Sequence, residues 1–324
     1  MAERKPVVVL RVELEEKYLK RLREECPDAE FVVAADDAAW VKVRGKAEGV
    51  IGGGAPTAED LQEAKKLRWI QATSAGVEAF MTPELAERDG VVLTNFSGIH
   101  ATNIADHVLA MIFAFARDLK TLFARQERHE WPEGDAGLTT FEPSGQTLGI
   151  VGLGDIGEAL AQKAHGLGMR VLALQRHPYN PPPSIERMIM GDGLPELLGE
   201  ADHVVLCLPL TGSTKHIIGR EELGQMKRGA YLYNIGRGGL IDQEALIEAL
   251  RDGKRAGAGL DVTDPEPLPA DSPLWDLPNV LVTGHTAAAT PLLWERGIEL
   301  VIDNVRRFLG GEELRNVVNT KAGY

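Results

Sequence analysis

The chain contains few cysteines and no long apolar run. These absences argue against a disulfide-stabilised, membrane-spanning or secreted protein. Its 324 residues include two cysteines, Cys26 and Cys207, which are too few for a disulfide framework. No stretch of 18 apolar residues occurs, so we expect no transmembrane helix. Residues 1–6 are polar and lack the apolar core of a signal peptide. We therefore expect a cytoplasmic protein without a membrane partner.

Positive charge is also scarce. The 35 Lys and Arg residues stand against 48 Asp and Glu residues, for a formal net charge of −13. Such a balance argues against a nucleic-acid-binding protein, because clustered cations must meet the phosphate backbone. A small anionic substrate or cofactor can still bind at local positive groups. The histidines are scattered without the spacing of a zinc helix, so no metal site is expected.

Strand-like and helix-like patterns alternate along the chain, and its length suggests about two domains. Alternation of this kind indicates an α/β fold with mostly parallel sheets. One long helix is predicted from Asn103 to Arg128, with His107 as a packed rather than ligating residue. A final helix is predicted to begin with Thr290 as N-cap and Pro291 as first residue, and to end before Gly310. Because this helix follows the last strand, it can return to the first domain.

An irregular segment from residue 129 to 143 interrupts the helical pattern and contains Trp131. Long irregular loops in compact domains are often functional. Trp131 is compatible with three roles: a core anchor, a contact between subunits, or a wall of the substrate site. The sequence favours an interface role among these.

The most informative stretch is Gly152-Leu153-Gly154-Asp155-Ile156-Gly157, which follows an apolar strand and opens a helical pattern. In such a turn the first glycine allows a tight bend, the second lets backbone approach a pyrophosphate, and the third permits close helix–strand packing. The helix N-terminus offers unpaired N–H groups to the phosphates. Strand, glycine turn, helix and a further strand together predict a dinucleotide site rather than an ordinary turn.

The end of the next strand bears on which dinucleotide binds. NAD sites place an Asp or Glu about 20 residues past the glycine turn, where it bonds the ribose 2′-hydroxyl. Here that place holds neutral Gln175, followed by Arg176 and His177. A guanidinium suits a 2′-phosphate, although Arg176 is also compatible with a solvated surface position. We therefore predict that NADP(H) is preferred and that NAD(H) remains usable.

Three later segments place polar residues just after predicted strands, and their key members are Arg237, Glu266 and His285. Ligands of open α/β sheets bind beyond the carboxyl ends of the strands, so these segments should share one edge with the glycine turn. Each residue has a plainer interpretation when taken alone. Arg237 is compatible with a surface cation, Glu266 with a solvated acid, and His285 with a packed core histidine.

In combination and order, these motifs resemble the D-isomer-specific 2-hydroxyacid dehydrogenase family, and within it the glyoxylate/hydroxypyruvate reductases. The similarity extends from the turn 74–77 to the helix after Thr290. It implies two Rossmann-like, doubly wound parallel-sheet domains with an active-site cleft between them. The substrate domain would comprise residues 1–98 plus 292–324, and the dinucleotide-binding domain residues 99–291. Two departures from the family are Asp155 in the glycine turn and alanines at 287–289, where many members have a glycine.

The resemblance implies an oxidoreductase that reduces a small 2-ketoacid, such as glyoxylate or hydroxypyruvate, reversibly to the D-2-hydroxyacid. His285 would be the general acid and base, since an imidazole exchanges protons near neutral pH. Glu266 would orient the imidazole ring, and Arg237 would hold the substrate carboxylate and polarise the carbonyl. The substrate-binding residues implied are Ala75, Gly76, Val77, Arg237 and His285. The amides of the first three would form a backbone cradle, although that turn is also compatible with a plain loop.

The resemblance also implies the cofactor contacts, with Asp261 and backbone near Ile235 at the nicotinamide carboxamide and Leu208-Pro209 along the cofactor. The residues implied are Gly152, Gly154, Asp155, Ile156, Gly157, Gln175, Arg176, Leu208, Pro209, Ile235, Gly236, Arg237, Asp261, His285 and Ala287. Asp155 is tolerable there only if its side chain points away from the pyrophosphate.

Three further expectations and alternatives remain. By resemblance we expect a homodimer, assembled through the long helix and the loop around Trp131. One alternative is a non-catalytic NAD(P)-sensing protein, because the same fold occurs in a transcriptional co-repressor of this family. Another is a family enzyme that acts on phosphite, formate or 3-phosphoglycerate, although the chain is too short for the extra regulatory domain of many phosphoglycerate enzymes.

Overall fold

The computed structural model describes residues 4–131, 133–134, 137–176 and 179–319; His177 lies outside these ranges. The described strands are β1 (Val7–Arg11), β2 (Glu30–Val33), β3 (Gly49–Gly52), β4 (Trp69–Gln71), β5 (Val92–Thr94), β6 (Thr147–Val151), β7 (Arg170–Gln175), β8 (Arg187–Met190), β9 (His203–Leu206), β10 (Tyr231–Asn234), β11 (Gly257–Leu260) and β12 (Val280–Val282). The described α-helices are α1 (Glu16–Glu25), α2 (Asp37–Val43), α3 (Ala58–Glu63), α4 (Pro83–Ala86), α5 (Ala101–Ala116), α6 (Leu119–Glu127), α7 (Asp155–Gly166), α8 (Leu194–Glu200), α9 (Arg220–Gln225), α10 (Gln243–Arg251) and α11 (Leu293–Gly310).

The chain forms two compact units. Unit 1 comprises Met1–His100 with Thr290–Tyr324, and unit 2 comprises Ala101–Ala289. The assignment of substrate and dinucleotide functions to residues 1–98 plus 292–324 and 99–291 stays a prediction.

Unit 1 is built on a five-stranded sheet in the order β2-β1-β3-β4-β5, with every strand pair parallel. Its two faces carry separate apolar clusters. One cluster includes Trp40 and Leu61 from α2 and α3, and the other joins α1 to Ile298 and Val301 of α11. A parallel sheet needs cover on both faces, and these helices supply it.

Unit 2 is built on a seven-stranded parallel sheet in the order β12-β11-β10-β9-β6-β7-β8. From β6 the chain runs outward through β7 and β8, and then returns to build β9 to β12 on the other side. The direction therefore reverses between β6 and β9, and doubly wound sheets bind ligands beyond the carboxyl ends of the strands at such a point. The predicted α/β class with two parallel-sheet domains is confirmed.

The prediction of one long helix from Asn103 to Arg128 was wrong. The helix breaks between α5 and α6 at Asp118, which has a left-handed φ of +50°. Aspartate is among the few non-glycine residues that tolerate this conformation. Its carboxylate also accepts a hydrogen bond from the Thr139 backbone N–H at 3.1 Å, which stabilises the break.

The predicted start of the last helix was also wrong. Helix α11 begins at Leu293, whereas Thr290 was expected to be the N-cap. Thr290 Oγ1 accepts instead from the Leu292 N–H at 3.2 Å, so its hydroxyl closes a local turn before the helix. The predicted end is correct to within one residue, since Gly311 is the left-handed C-cap with φ of +69°. Among the described residues, no helix is long and apolar enough to span a membrane.

Candidate active site

The glycine turn follows β6 at the reversal point, and its glycines meet distinct packing demands. Gly152 has φ of +97°, and a Cβ there would lie 2.7 Å from a Leu208 methyl. A Cβ at Gly157 would lie 2.7 Å from the Gly152 carbonyl oxygen, so only glycine lets α7 approach the strand. By contrast, no atom of the described residues lies within 4 Å of a Cβ built at Gly154, the N-cap of α7. The turn thus leaves backbone accessible at a helix N-terminus, which fits a pyrophosphate.

The residues after β7 connect to both neighbouring loops. Gln175 Nε2 donates to the Leu153 carbonyl oxygen at 3.3 Å, within the glycine turn. Arg176 is exposed, and its Nη2 donates to Ser213 Oγ at 3.2 Å, in the loop after β9. Ser213 in turn lies 3.1 Å from Thr211 Oγ1. Sequence analysis missed Ser213, because nothing in a Gly-Ser-Thr loop marks which hydroxyl faces an arginine of another loop.

The loop after β9 also carries the half-buried Leu208 and Pro209. The Pro209 carbonyl oxygen accepts from Thr214 Oγ1 at 2.7 Å, which closes the loop on itself. Since β6 pairs with both β7 and β9, the glycine turn, Arg176 and this loop occupy the carboxyl ends of three neighbouring strands.

Beyond β10, the side chain of Asn234 shapes the turn that presents Arg237. Its Nδ2 donates to the Arg237 carbonyl oxygen at 2.8 Å, and its Oδ1 accepts from the Gly236 N–H at 3.1 Å. The half-buried Arg237 donates from Nη1 to the Gly236 carbonyl oxygen at 2.7 Å. A Cβ at Gly238 would lie 2.0 Å from the Thr263 carbonyl oxygen. The segment after β10 therefore packs directly on the segment after β11, and glycine is required there.

His285 and Glu266 form a close pair. His285 Nδ1 lies 2.6 Å from Glu266 Oε1, with the two side chains 45% and 40% exposed. A carboxylate only accepts hydrogen bonds, so Nδ1 carries the proton of this contact. That bond fixes the ring orientation and leaves Nε2 as the nitrogen that can exchange a proton with a substrate.

Asp261, which follows β11, is only 3% exposed and faces the loop that carries His285. Its carboxylate accepts from Thr283 Oγ1 at 2.6 Å, from the Thr286 N–H at 2.9 Å and from the Ala287 N–H at 3.1 Å. Its carbonyl oxygen accepts from the His285 N–H at 2.5 Å. Asp261 thus accepts from three consecutive backbone N–H groups, beginning with that of His285, whose φ is +58°.

The turn after β4 lies in unit 1. Ser74 Oγ donates to the Gly76 carbonyl oxygen at 2.6 Å, and Asn95 Nδ2 donates to the Ala75 carbonyl oxygen at 2.8 Å. Ala75 and Gly76 are half-buried and Val77 is buried. The turn therefore has a defined shape, while its predicted part in binding a carboxylate stays a prediction.

Within unit 2, Arg237, Glu266 and His285 follow β10, β11 and β12, which are adjacent in the sheet. They share the carboxyl edge of that sheet with the glycine turn after β6. Among the described residues, no group of three or more His, Cys, Asp or Glu side chains is placed to hold a metal ion. A glycine turn at a helix N-terminus, with a paired histidine and glutamate on the same sheet edge, is the arrangement expected of a nicotinamide-dependent dehydrogenase.

Known proteins identify the family. A family model for the NAD-binding domain of D-isomer-specific 2-hydroxyacid dehydrogenases matches residues 109–287. Glyoxylate/hydroxypyruvate reductase B of Pectobacterium carotovorum subsp. carotovorum (strain PC1) is 41% identical over 276 residues, which cover 84% of this chain and 86% of the relative. The reductase B of Erwinia tasmaniensis is 38% identical over 325 residues, which cover 98% and 100%. The chain belongs to the D-isomer-specific 2-hydroxyacid dehydrogenase family, as the resemblance of its motifs predicted.

Solved structures agree with this assignment. A family member from Xanthobacter autotrophicus Py2, in complex with NADPH and MES, is 28% identical with a TM-score of 0.83, covering 99% of this chain and 100% of that chain. The NADPH-dependent glyoxylate/hydroxypyruvate reductase of Sinorhizobium meliloti, in complex with NADP and sulfate, is 27% identical with a TM-score of 0.82 and the same coverage. The protein is therefore an NAD(P)-dependent oxidoreductase that uses a nicotinamide cofactor.

Proposed function

We propose that this protein reduces a small 2-ketoacid of the glyoxylate or hydroxypyruvate class to the D-2-hydroxyacid. The observation that carries the proposal is the contact of 2.6 Å between His285 Nδ1 and Glu266 Oε1. It gives the sheet edge an oriented proton donor, which ketoacid reduction requires and mere nucleotide binding does not. The names of the reductase relatives in Pectobacterium and Erwinia support the substrate class.

Each residue proposed for the site has a distinct part in this reaction. When bound, a reduced nicotinamide would supply the hydride for the carbonyl carbon, C2 of the ketoacid. His285 Nε2 donates a proton to the ketone oxygen, while Glu266 stabilises the charged ring through Nδ1. Arg237 holds the substrate carboxylate and polarises the carbonyl with its fixed donors. The backbone amides of residues 75–77 are retained as a proposed carboxylate-binding turn of unit 1.

We assign the cofactor to the glycine turn and its neighbours. The open approach at Gly154 and the N-terminus of α7 fit the pyrophosphate. The other proposed contacts are Gly152, Asp155, Ile156, Gly157, Gln175, Arg176, Leu208, Pro209, Ile235, Gly236, Arg237, Asp261, His285 and Ala287. NADPH is the preferred reductant in this proposal, because β7 ends in a neutral Gln175 followed by an exposed Arg176. The NADP and NADPH complexes of two similar structures support that preference.

Absorbance at 340 nm tests the proposal directly. The protein is assayed with glyoxylate, hydroxypyruvate and pyruvate against NADPH and NADH, and with phosphite and formate in the oxidative direction. We expect turnover with glyoxylate or hydroxypyruvate, higher kcat/KM with NADPH, and loss of most of kcat in His285→Ala. Absence of turnover with every 2-ketoacid would favour a nucleotide-sensing protein. Faster turnover of phosphite or formate would assign a different small anion.

We further propose that the protein acts as a cytoplasmic homodimer. Its cysteines, Cys26 and Cys207, are free thiols, as is usual in a reducing compartment. Exposed aromatic side chains mark the region of α6 and the following loop, where Phe123 is 59% and Trp131 is 92% exposed. Such exposure favours burial against a second copy. Light scattering on a sizing column should give twice the monomer mass, and a monomer would refute the assembly.

A further inference from the structure

The turn that carries His285 is conformationally costly, so something must hold it. Gly284 and His285 both have φ of +58°, in the left-handed region. A non-glycine residue there loses about 1–2 kcal/mol relative to ordinary backbone. The turn has an internal bond, from Thr286 Oγ1 to the Thr283 carbonyl oxygen at 2.7 Å, and its shape also depends on hydrogen bonds from outside. Asp261 supplies acceptors from the β11 side, as described above.

Helix α5 holds the same turn from a second side. His107 Nε2 lies 2.9 Å from Thr283 Oγ1, at the first residue of the turn. Asn103 Nδ2 donates to the Ala287 carbonyl oxygen at 2.8 Å, at its last residue. Residues 103 and 107 are four apart and share one face of the helix. Both ends of the turn are thus bonded to one helical face.

Proton positions follow from the chemistry of these groups. The Thr283 hydroxyl has one hydrogen, and its contact of 2.6 Å to the acceptor-only carboxylate of Asp261 uses it. Thr283 Oγ1 must then accept from His107, so His107 carries a proton on Nε2. The resulting series of hydrogen bonds runs from His107 on α5 to the Thr283 hydroxyl and then to the Asp261 carboxylate. That carboxylate in turn accepts from the backbone N–H groups next to His285.

We propose that His107 and Thr283 are positioning residues for the reaction, acting on His285 through Asp261. They fix the backbone of the turn so that the imidazole stays paired with Glu266 and presents Nε2 in one direction. The sequence predicted only a packed role for His107, whose side chain is 22% exposed. This inference rests on the proposed function, since positioning matters only if His285 transfers a proton.

The test compares variants that remove one hydrogen bond with variants that keep it. Thr283→Val and His107→Phe remove the hydroxyl and the Nε2 donor, whereas Thr283→Ser and His107→Gln retain a donor of similar reach. Thr121→Val, on helix α6, is the matched control. We expect kcat at saturating NADPH to fall about 10- to 100-fold in the first pair, because small misplacement of a reacting group costs about that much. The second pair should recover most of the rate.

Two further measurements separate positioning from general damage. The Kd for NADPH, from quenching of protein fluorescence, should change much less than kcat, since the proposed phosphate contacts at the glycine turn are untouched and only the nicotinamide end would meet Asp261, His285 and Ala287. Hydrogen exchange at the amides of residues 285–287 should become at least tenfold faster in Thr283→Val, because Asp261, whose carbonyl oxygen and carboxylate accept from them, is loosened. If His107→Phe does not fold, the comparison of Thr283→Val with Thr283→Ser is sufficient to test the inference.

The outcomes distinguish this inference from the proposed function. If the wild-type protein turns over a 2-ketoacid and Thr283→Val has the same kcat, the inference is overturned and the reductase assignment stays intact. Equal rate losses in the valine and serine variants also overturn it, because the hydroxyl would then be irrelevant. Absence of wild-type turnover refutes the reductase assignment, and the exchange rates at 285–287 then decide whether these residues hold the turn.

Discussion

The pair formed by Glu266 and His285 supplies the sharpest quantitative test. Glu266→Gln keeps the shape of the side chain and an acceptor oxygen for His285 Nδ1, but removes the negative charge. Glu266→Ala removes both. If the carboxylate stabilises the protonated ring during proton transfer, the glutamine variant loses rate although it can still orient the imidazole.

The magnitude follows from the geometry of the contact. A hydrogen bond to a charged group contributes about 1.5–3 kcal/mol when desolvated, and an exposed ion pair about 0–1 kcal/mol. The side chains of His285 and Glu266 are 45% and 40% exposed, so an intermediate value of about 1–2 kcal/mol applies. At 1.36 kcal/mol for each factor of ten, kcat should fall about 5- to 30-fold in Glu266→Gln. In Glu266→Ala, kcat should fall further, by about 100-fold, since orientation of the ring is lost as well.

Steady-state oxidation of NADPH with glyoxylate measures both variants. The exposed Glu221 on α9 provides a matched control, Glu221→Gln, which should leave kcat unchanged. The KM for glyoxylate should change less than about threefold in Glu266→Gln, because Arg237 rather than Glu266 binds the carboxylate in this scheme. A kcat within twofold of wild type for Glu266→Gln would refute the electrostatic part of the reasoning.

Three other changes test other parts of the structure. Arg176→Ala should lower kcat/KM about tenfold or more with NADPH and less than threefold with NADH, because a charged bond to the 2′-phosphate is lost; equal losses would contradict this assignment. Asp155→Asn removes an acid from the first residue of α7. Since like charges a few ångströms apart repel by about 1 kcal/mol even at the dielectric constant of bulk water, NADPH should bind at least several-fold tighter in a fluorescence titration, and weaker binding would contradict the repulsion. Burial lowers the pKa of His203 from 6.5 to about 4. The unfolded chain therefore gains a proton first as the pH falls, so wild-type stability is full above pH about 6.5 and declines by about 3 kcal/mol toward pH 4. In urea unfolding, His203→Asn should be less stable at pH 7 but should show a flatter decline, and an unchanged slope would remove His203 as the cause.

Elements that depend only on neighbouring residues carry local signals in the sequence. The capping box of Thr57 and Asp60 forms at the start of α3, and Asp242 caps α10 by accepting from the Ala245 N–H. These motifs need only a few consecutive residues, so the pattern is sufficient. The fold class followed for the same reason, since alternating strands and helices leave few topologies.

The two wrong helix predictions involve polar side chains for which different hydrogen-bond partners compete. A periodic pattern of apolar residues does not reveal that competition. Asp118 breaks the long helix because its carboxylate finds the Thr139 N–H, 21 positions along the chain. Thr290 has the composition of an N-cap, yet its hydroxyl closes a turn that ends before α11. In each case a polar side chain could make either of two hydrogen bonds, and the surrounding structure selected the less regular one.

The site divides in the same way. Arg237, Glu266 and His285 could be proposed from the sequence because each follows a strand within a recognisable motif, and their catalytic roles stay a prediction. The support provided by Asn103, His107 and Thr283 was missed, because the His107–Thr283 contact spans 176 positions. A histidine and an asparagine four residues apart on a largely apolar helix were the available signal. That spacing shows that they share a face but not what the face meets.

The acidity of the chain, with a net charge of −13, does not conflict with binding an anionic dinucleotide. The screening length is about 10 Å at 0.1 M salt, so distant exposed acids contribute little at the glycine turn. At short range the turn offers backbone N–H groups and a helix end equivalent to about half a positive charge, neither of which requires lysine or arginine. A long nucleic acid differs because many phosphates must be met at once. Overall charge therefore argues against a polyanion, while dinucleotide binding is proposed to depend on the local groups at Gly154 and Arg176.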